Sequence, residues 1–334
     1  MDRVPYAELV AEFSRVLEAR GFTPDRAHDA ARIFADNTCD GVASHGLNRF
    51  PGFVRDIAVG RVDPSAEAEC VTSFGTLEQW DARRGPGVLT ATAAMARAIA
   101  LARDSTIGCV ALRNANHWMR AATYGLQAAA AGCLAVCWTN TTRLMPPHGS
   151  AEKRVGNNPL CVAVPGRDGE AVLLDMALSQ FSGGRTDMLR RSGGTFPVPG
   201  GYDEEGRLTT DPGAVRRSGR PLPIGHWKGS GLALCLDLLA TLLSGGLATW
   251  QIASEGADIG AGCSQVFLAF DLAAIDDGNA AETVAAVLAD LATATPLEGE
   301  RVTYPGQRSS EIRRRNMADG VPVDAEFWRE TRSL

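Results

Sequence analysis

The stretch Asp40-Gly41-Val42-Ala43-Ser44-His45-Gly46-Leu47-Asn48-Arg49-Phe50 begins where a strongly amphipathic helix pattern stops. Gly41 predicts the end of that helix, because glycine adopts the left-handed conformation that closes a last turn. If a helix resumes at Ser44, His45 and Arg49 share one face, within reach of one small anion. A proton-donating imidazole beside a carboxylate-binding guanidinium suits reduction of a 2-oxo acid. Such pairs are more often surface or cap residues, so this stretch alone leaves the chemistry open.

Bulk composition indicates a globular chain with a full core. Of its 334 residues, 45% are hydrophobic, enough for one large domain or two. The net charge is −6, and no basic run suggests a nucleic-acid site. The N-terminus lacks the apolar stretch of a signal peptide, and the longest apolar segment, near 231–243, contains Asp237 and is too short to cross a bilayer. We therefore expect a cytoplasmic protein that binds neither nucleic acid nor a membrane.

Cysteine and lysine usage adds two observations. None of the eight cysteines belongs to a C-x-x-C pair and most lie in apolar runs, which predicts buried free thiols in a reducing compartment and no zinc site. Lysine occurs only as Lys153 and Lys228. Lys228 lies within His226–Gly231, at the start of a predicted helix, where small residues and a cation suit a phosphate. The alternative is a glycine-rich helix start with an exposed lysine.

The hydrophobic pattern changes near residue 70. The first 60 residues are predicted to be helical, and short extended pieces occupy 62–81. Helices and strands then alternate, which predicts an α/β fold class of mixed α+β character. No G-x-G-x-x-G follows a predicted strand, so the dinucleotide fingerprint is absent. The predicted elements are helices at 6–20, 24–39, 89–103, 118–131, 228–244, 280–293 and 307–318, strands at 107–112, 134–138, 160–164, 171–175 and 265–270, a long loop or lid at 184–220, and a short polar tail.

Polar residues follow several predicted strands, where α/β folds place their sites. Asn116 and His117 come after the strand at 107–112, although Asn116 could equally cap the next helix. Thr139–Thr142 could bind a polyhydroxylated ligand or simply form turns. Asp175 ends a strand, where it could accept hydrogen bonds from a ribose or cap the next segment. Residue types alone leave each of these alternatives open.

Taken together, five segments resemble the malate/L-lactate dehydrogenase family of non-Rossmann, nicotinamide-dependent oxidoreductases, over nearly the whole chain. The family implies a helical part built from both chain ends, here 1–70 joined by 300–334, and a central cofactor-binding α/β part, here 71–299. Two further pieces, Glu78–Ala82 and Cys137–Asn140, are similar to members that reduce 2,3-diketo-L-gulonate. The five segments are Asp40–Phe50 (DGVASHGLNRF), Asn114–Arg120 (NANHWMR), Thr139–Gly149 (TNTTRLMPPHG), Gly156–Pro159 (GNNP) and His226–Leu234 (HWKGSGLAL).

The resemblance implies roles position by position. His45 matches the proton donor, Arg49 a ligand of the substrate carboxylate, and His117 a second polar group near the reacting carbonyl. The implied substrate contacts are Ser44, Asn48, Thr139 and Asn140, and the implied cofactor contacts are Leu174, Asp175, Met176, Ala177, Trp227, Lys228, Gly306, Gln307 and Arg308. The positions that depart from the family pattern are Ala177, which removes a cofactor hydrogen bond, and Asn157, His148 and Arg185, which bear on substrate choice.

The implied reaction is NAD(P)H-dependent reduction of a 2-oxo acid, with 2,3-diketo-L-gulonate as the expected substrate and NADH preferred over NADPH. Hydride would pass to the keto carbon while His45, as imidazolium, protonates the developing alkoxide. Alternatives in the same class are malate, lactate, ureidoglycolate or a cyclic ketimine. Alternatives from other classes are a metal-dependent hydrolase built on His45, His117 and His148, and a sugar-acid sensor without catalysis. No H-x-H or H-x-x-x-H pair preorganises a metal, so we expect none.

Assembly is the last expectation. The first 60 residues supply too few helices to enclose their own core, and a second subunit is one way to cover them. Together with the resemblance, this predicts a two-fold homodimer, with His45 and Arg49 near the subunit boundary and the 184–220 loop closing over the site.

Overall fold

The computed structural model describes residues 2–252, 262–276 and 278–334, and its first helices pack through aromatic side chains. Phe13, Phe34 and Phe50 are fully buried, and the ring centroids of Phe13 and Phe50 lie 4.3 Å apart. Each helix thereby buries the apolar face that its sequence period predicts. The helices are α1 (Tyr6–Glu18), α2 (Pro24–Cys39) and α3 (Phe50–Ala58).

The C-terminal segment completes this helical layer. Strand β1 (Asp2–Val4) pairs antiparallel with the late strand Val321–Val323, and Trp328 packs into the same core. The predicted polar tail is therefore wrong, because its few apolar side chains fold back onto the first helices. This segment also supplies the cover that the sequence argument sought from a second subunit. The division of the chain near residue 70 stays a prediction.

Seven of the described strands form the central sheet, in the order β2-β3-β4-β10-β5-β6-β7. Only β3 and β4 pair in parallel, and the other neighbours are antiparallel. A Rossmann domain needs a parallel sheet, so this order confirms the predicted mixed α/β class without a Rossmann motif. The strands are β2 (Glu69–Phe74), β3 (Leu77–Asp81), β4 (Ile107–Ala115), β5 (Cys133–Thr139), β6 (Leu160–Pro165), β7 (Ala171–Met176) and β10 (Cys263–Asp271).

Helices cover both faces of this sheet. Helices α4 (Gly87–Ser105) and α5 (Ala122–Ala130) pack on one face, and α8 (Trp227–Ser244) packs on the other. Helix α5 begins four residues later than the pattern predicts, because the segment before it forms the loop that carries His117. None of the described helices is long and apolar enough to cross a membrane. The remaining helices in this part are α9 (Thr249–Ile252), α10 (Leu272–Ile275) and α11 (Ala280–Ala292).

The region predicted as a long loop at 184–220 is folded. Ser182 accepts a hydrogen bond from the Arg185 backbone, and Asp211 accepts one from Gly213, so each side chain caps a helix start. The prediction was wrong because short helices of charged and small residues have little hydrophobic period. The elements are α6 (Gly183–Ser192), β8 (Gly201–Tyr202), β9 (Leu208–Thr209) and α7 (Pro212–Ser218), and the chain ends with α12 (Gln307–Asp319), β11 (Val321–Val323) and α13 (Ala325–Ser333).

Candidate active site

The stretch after α2 folds as a tight turn. Helix α2 ends at Cys39, and Gly41 has φ of 81°, as its position predicts. A single 3₁₀ turn covers Ala43–His45, and α3 begins only after Arg49, so the predicted helix through both side chains is wrong. The turn ends at Gly46, whose φ of −118° and ψ of −121° lie outside the helical region. A β carbon there would lie 2.2 Å from the Thr38 hydroxyl oxygen, so glycine lets the chain pack closely on α2.

The turn nevertheless brings His45 to His117, which follows β4. Their ring centroids are 5.9 Å apart and nearly parallel, with 18° between the planes. His45 Nδ1 lies 3.0 Å from the Ser44 hydroxyl oxygen. The Met119 backbone N–H donates to His117 Nδ1 at 3.0 Å, so neutral His117 carries its proton on Nε2. Two imidazoles, one of them with a fixed tautomer, therefore share one small site.

Burial lowers the pKa of both histidines. The pKa of His45 falls to about 4, first because of burial and then because of the Arg120 and Arg49 charges. The pKa of His117 falls to about 3, again mainly through burial, with His45 and Arg49 adding to it. Both rings are thus neutral at pH 7 in the free chain, which differs from the imidazolium expected for His45. An anion bound beside Arg49 would restore the basicity of His45.

Three polar side chains that a substrate could contact belong to the same stretch as His45. The ion pair of Arg49 with Asp56 is long, at 3.9 Å, and the Arg49 side chain is 32% exposed. The Asn48 side-chain oxygen is buried and has no hydrogen-bond partner within the described residues. Ser44 is exposed beside the start of α6, where a β carbon on Gly184 would lie 3.4 Å from its hydroxyl. Arg49, Asn48 and Ser44 can therefore offer donors and acceptors to a substrate.

The side chains of two other predicted substrate contacts form hydrogen bonds within the protein. Asn140 is fully buried, and its amide donates to Asp237 Oδ1 and Leu247 O while its oxygen accepts from Ser264 N–H. The Thr139 hydroxyl donates to backbone oxygens at the same sheet edge. Both side chains therefore join β5 to β10 and α8, and the substrate role assigned to them stays a prediction.

Arg120 has a role near His45 that the residue pattern alone does not indicate. Arg120 is buried and donates to Asp40 Oδ2 at 2.5 Å, and its Nε lies 3.7 Å from Asp175 Oδ2. Arg313 of α12 donates to the other Asp40 oxygen at 2.9 Å. This chain of charges joins α2, the His117 loop and the C-terminal segment. Asp40 and Arg120 both lie within the quoted motifs, but only the fold shows that they pair.

The Asp175 side chain contacts the start of α5, an earlier helix, rather than the segment after β7 that the sequence allowed it to cap. Its carboxylate accepts from the Ala122 N–H at 3.1 Å, at the start of α5, and faces Arg120. Burial raises the pKa of Asp175, and Arg120 and the Ala122 N–H oppose that rise. The carboxylate therefore links the catalytic candidates to the end of β7.

The three predicted cofactor segments come together at the end of β7, to which Leu174, Asp175 and Met176 belong. Leu173 N–H donates to Pro305 O at 2.9 Å, which places Gly306, Gln307 and Arg308 beside Leu174–Ala177. Leu178 O accepts from Ile224 N–H at 2.9 Å, which brings in the start of α8. Trp227 is 65% exposed there, and Lys228 is exposed without a carboxylate partner in the described residues. A free cation and a flat apolar side chain at a helix start suit the phosphate and ring of a dinucleotide.

The histidines do not assemble the triad that a hydrolase would need. The ring centroid of His148 lies 6.3 Å from that of His226, at the start of α8. Among the residues that the structure describes, no group of three or more His, Cys, Asp or Glu side chains could hold a metal ion.

Comparison with known proteins identifies the class. The chain belongs to the malate/L-lactate dehydrogenase family, whose sequence model matches residues 4–332, and it is an oxidoreductase of that family. It is 43% identical to the 2,3-diketo-L-gulonate reductase of Citrobacter koseri over 334 residues, covering 99% of this chain and 100% of the relative. The family resemblance drawn from the motifs is confirmed.

Solved structures of the family share the fold. Sulfolactate dehydrogenase from Methanocaldococcus jannaschii superposes with a TM-score of 0.90 at 26% identity, covering 99% of this chain and 95% of that one. Δ1-piperideine-2-carboxylate reductase from Pseudomonas syringae pvar. tomato has a TM-score of 0.88 at 26% identity, covering 100% and 99%. The fold therefore occurs in proteins that are named for different substrates.

Proposed function

We propose that this chain reduces 2,3-diketo-L-gulonate at its 2-keto group, using a nicotinamide cofactor. The observation that carries the proposal is the His45–His117 ring pair beside Arg49, in a chain about 43% identical to 2,3-diketo-L-gulonate reductases over its full length. A carboxylate, a ketone and several hydroxyls on one small molecule match the guanidinium, the imidazoles and the Asn48 and Ser44 side chains.

Proton transfer follows from the arrangement of charges. Arg49 binds the substrate carboxylate with its guanidinium, and the added negative charge raises the pKa of His45 from its low value in the free chain. His45 then takes up a proton and donates it to the oxygen of the reacting ketone. His117, with Nδ1 occupied by Met119 N–H, donates its Nε2 proton to a substrate oxygen and orients the ketone.

The residues around β7 fit the cofactor that the family uses. Bound there, it would supply the hydride. Lys228 and the start of α8 would hold its phosphates, Trp227 would pack against an apolar part, and Asp175 would stay with Arg120. We propose NADH rather than NADPH, a preference that rests on the sequence resemblance. Comparing kcat/KM for the two cofactors tests it.

A substrate panel tests the proposed function. Initial rates are measured with 2,3-diketo-L-gulonate, with oxaloacetate and pyruvate as the 2-oxo acids that correspond to malate and lactate, and with a cyclic ketimine. We expect the highest kcat/KM for 2,3-diketo-L-gulonate. If kcat/KM is tenfold or more higher for another compound, that compound replaces 2,3-diketo-L-gulonate as the proposed substrate, and the reaction class stays the same. Metal analysis of the same sample addresses the hydrolase alternative.

We also propose a homodimer in the cytoplasm. Leu234, Leu238 and Leu242 recur every four residues on α8 and are 51%, 49% and 75% exposed, a row that a second copy could bury. The eight cysteines are free thiols, which suits a reducing compartment. His45 and Arg49 near the subunit boundary remain part of this proposal. Light scattering at micromolar concentration should give the mass of two chains.

A further inference from the structure

A bulge lies in β4 just before the His117 loop. Cys263 of β10 pairs with Ala115, whereas Gln265 pairs with Leu112, so β4 has one residue more than β10 between these pairs. Bulges are frequent beside active sites, where they redirect side chains. Asn114 within the bulge has φ of 52°, and its amide donates to Asp81 Oδ2 at 2.8 Å. The end of β4 is therefore turned out of the regular ladder and held there.

Asn116, the residue before His117, is fixed through its side chain. It is only 4% exposed, and its amide nitrogen lies 3.2, 2.7 and 3.0 Å from the backbone oxygens of Arg61, Arg84 and Gly85. Asn116 does not cap the next helix, as the sequence allowed, because α5 begins at Ala122 with Ala121 at its N-cap. The Asn116 side chain instead joins the His117 loop to the turn before α4.

The backbone of the loop is fixed from two further directions. The Asn116 carbonyl accepts from Gln265 Nε2 at 3.0 Å. On the other side, a β carbon on Gly87 would lie 2.3 Å from His117 O, so the His117 peptide packs directly on the first residue of α4. Met119, with φ of 65°, then places its N–H on His117 Nδ1. Little freedom remains in where the imidazole points.

Gln265 is an unusual residue for its position. It is 1% exposed in the central strand of the sheet, and its Oε1 is buried without a hydrogen-bond partner among the described residues. A buried unpaired oxygen costs free energy, so an apolar side chain would suit the core better. Within the described part of the chain, its side chain makes one hydrogen bond, the donation to Asn116 O.

We propose that Gln265 is a positioning residue for His117: acting through Asn116, it fixes the loop from which His117 presents its Nε2 proton to the substrate. The proposal rests on the proposed reductase function for its catalytic consequence, but not for the geometry of the ring. Removing the donor leaves Asn116 O unpaired and lets the loop rotate, which disturbs the Met119 N–H to His117 contact.

Gln265→Met removes the donor at similar volume, and Gln79→Met is a matched control. Gln79 lies on β3 and its Nε2 donates to Leu243 O at 2.8 Å, the same kind of bond away from the histidines. We expect Gln265→Met to lower kcat at least tenfold with an unchanged KM for NADH, and Gln79→Met to stay within twofold of wild type. Imidazole ¹⁵N NMR of the cofactor-free protein should show His117 as one Nε2–H tautomer in wild type and as a mixture in Gln265→Met.

Gln265→Glu provides a second variant if Gln265→Met does not fold. A neutral glutamic acid can donate to Asn116 O, but a carboxylate cannot, so its kcat relative to wild type should rise as the pH falls. A ratio independent of pH, or a Gln265→Met protein with kcat within twofold and unchanged His117 signals, would overturn the proposal. If wild type reduces no 2-oxo acid, the proposed function fails, and the NMR result still decides whether Gln265 positions His117.

Discussion

The low pKa values of the two histidines predict a specific loss of stability in acid. The pKa of His45 is about 4 in the folded chain against an ordinary value of 6.5. Because folding lowers this pKa, the unfolded chain binds the proton more readily between these values. The contribution of His45 to stability is therefore full above pH 6.5 and is lost as the pH falls toward 4. Between pH 7 and 5 the loss is about 2 kcal/mol, at about 1.4 kcal/mol per pH unit.

His45→Gln removes this titration while retaining a polar side chain. The free energy of unfolding is measured with urea at pH 7 and at pH 5 in both proteins. We expect its decrease from pH 7 to pH 5 to be about 2 kcal/mol smaller in this variant than in wild type. The carboxylates that titrate are the same in both proteins, so the difference isolates the histidine. His28→Gln, on the exposed side of α2, is the control and should follow wild type. Identical pH dependence in His45→Gln and wild type would refute the burial of a neutral His45.

Four further variants test the site and the assembly. His45→Ala should lower kcat by about 10² to 10⁴ with cofactor binding by fluorescence unchanged, whereas a rate within threefold of wild type would remove His45 from the acid role. Arg49→Lys keeps the charge but loses the fork, so KM for the 2-oxo acid should rise with kcat less affected; an unchanged KM argues against the carboxylate contact. Asp40→Asn leaves Arg120 buried without that carboxylate, and urea unfolding should show a loss of about 3–5 kcal/mol, in contrast to the exposed Glu205→Gln. Leu238→Asp should convert the proposed dimer to a monomer in light scattering, and an unaltered dimer mass would exclude this face of α8 as the interface.

Local patterns were sufficient for most of the fold. The spacing of apolar residues predicts helices α1, α2, α4 and α8 and the strands of the sheet, because apolar side chains recur on the buried side of each element. Gly41 was predictable from chemistry alone, since few other residues adopt its positive φ. In 184–220 and in the last residues the spacing of apolar residues is weak. Short helices and strands form there through helix caps and through contacts with residues far away in sequence, which a short stretch of sequence does not reveal.

The candidate site was predictable in its members but not in its geometry. The motifs identified His45, Arg49 and His117, yet the spacing of His45 and Arg49 suggested one helix, where the chain forms a 3₁₀ turn. The contact between His45 and His117 joins residues 72 positions apart, and the contact of Gln265 with Asn116 joins residues 149 apart. For Thr139 and Asn140 the sequence cannot separate a structural role from a ligand contact, because both roles use short polar side chains at the end of a strand.

The most direct measurement is the rate of NADH oxidation by the purified protein with 2,3-diketo-L-gulonate, recorded by absorbance for wild type and His45→Ala in parallel. The proposed function predicts substrate-dependent oxidation that saturates with 2,3-diketo-L-gulonate and falls by at least about 10² in His45→Ala. No oxidation of NADH or NADPH by wild type, or equal rates in the two proteins, would contradict it.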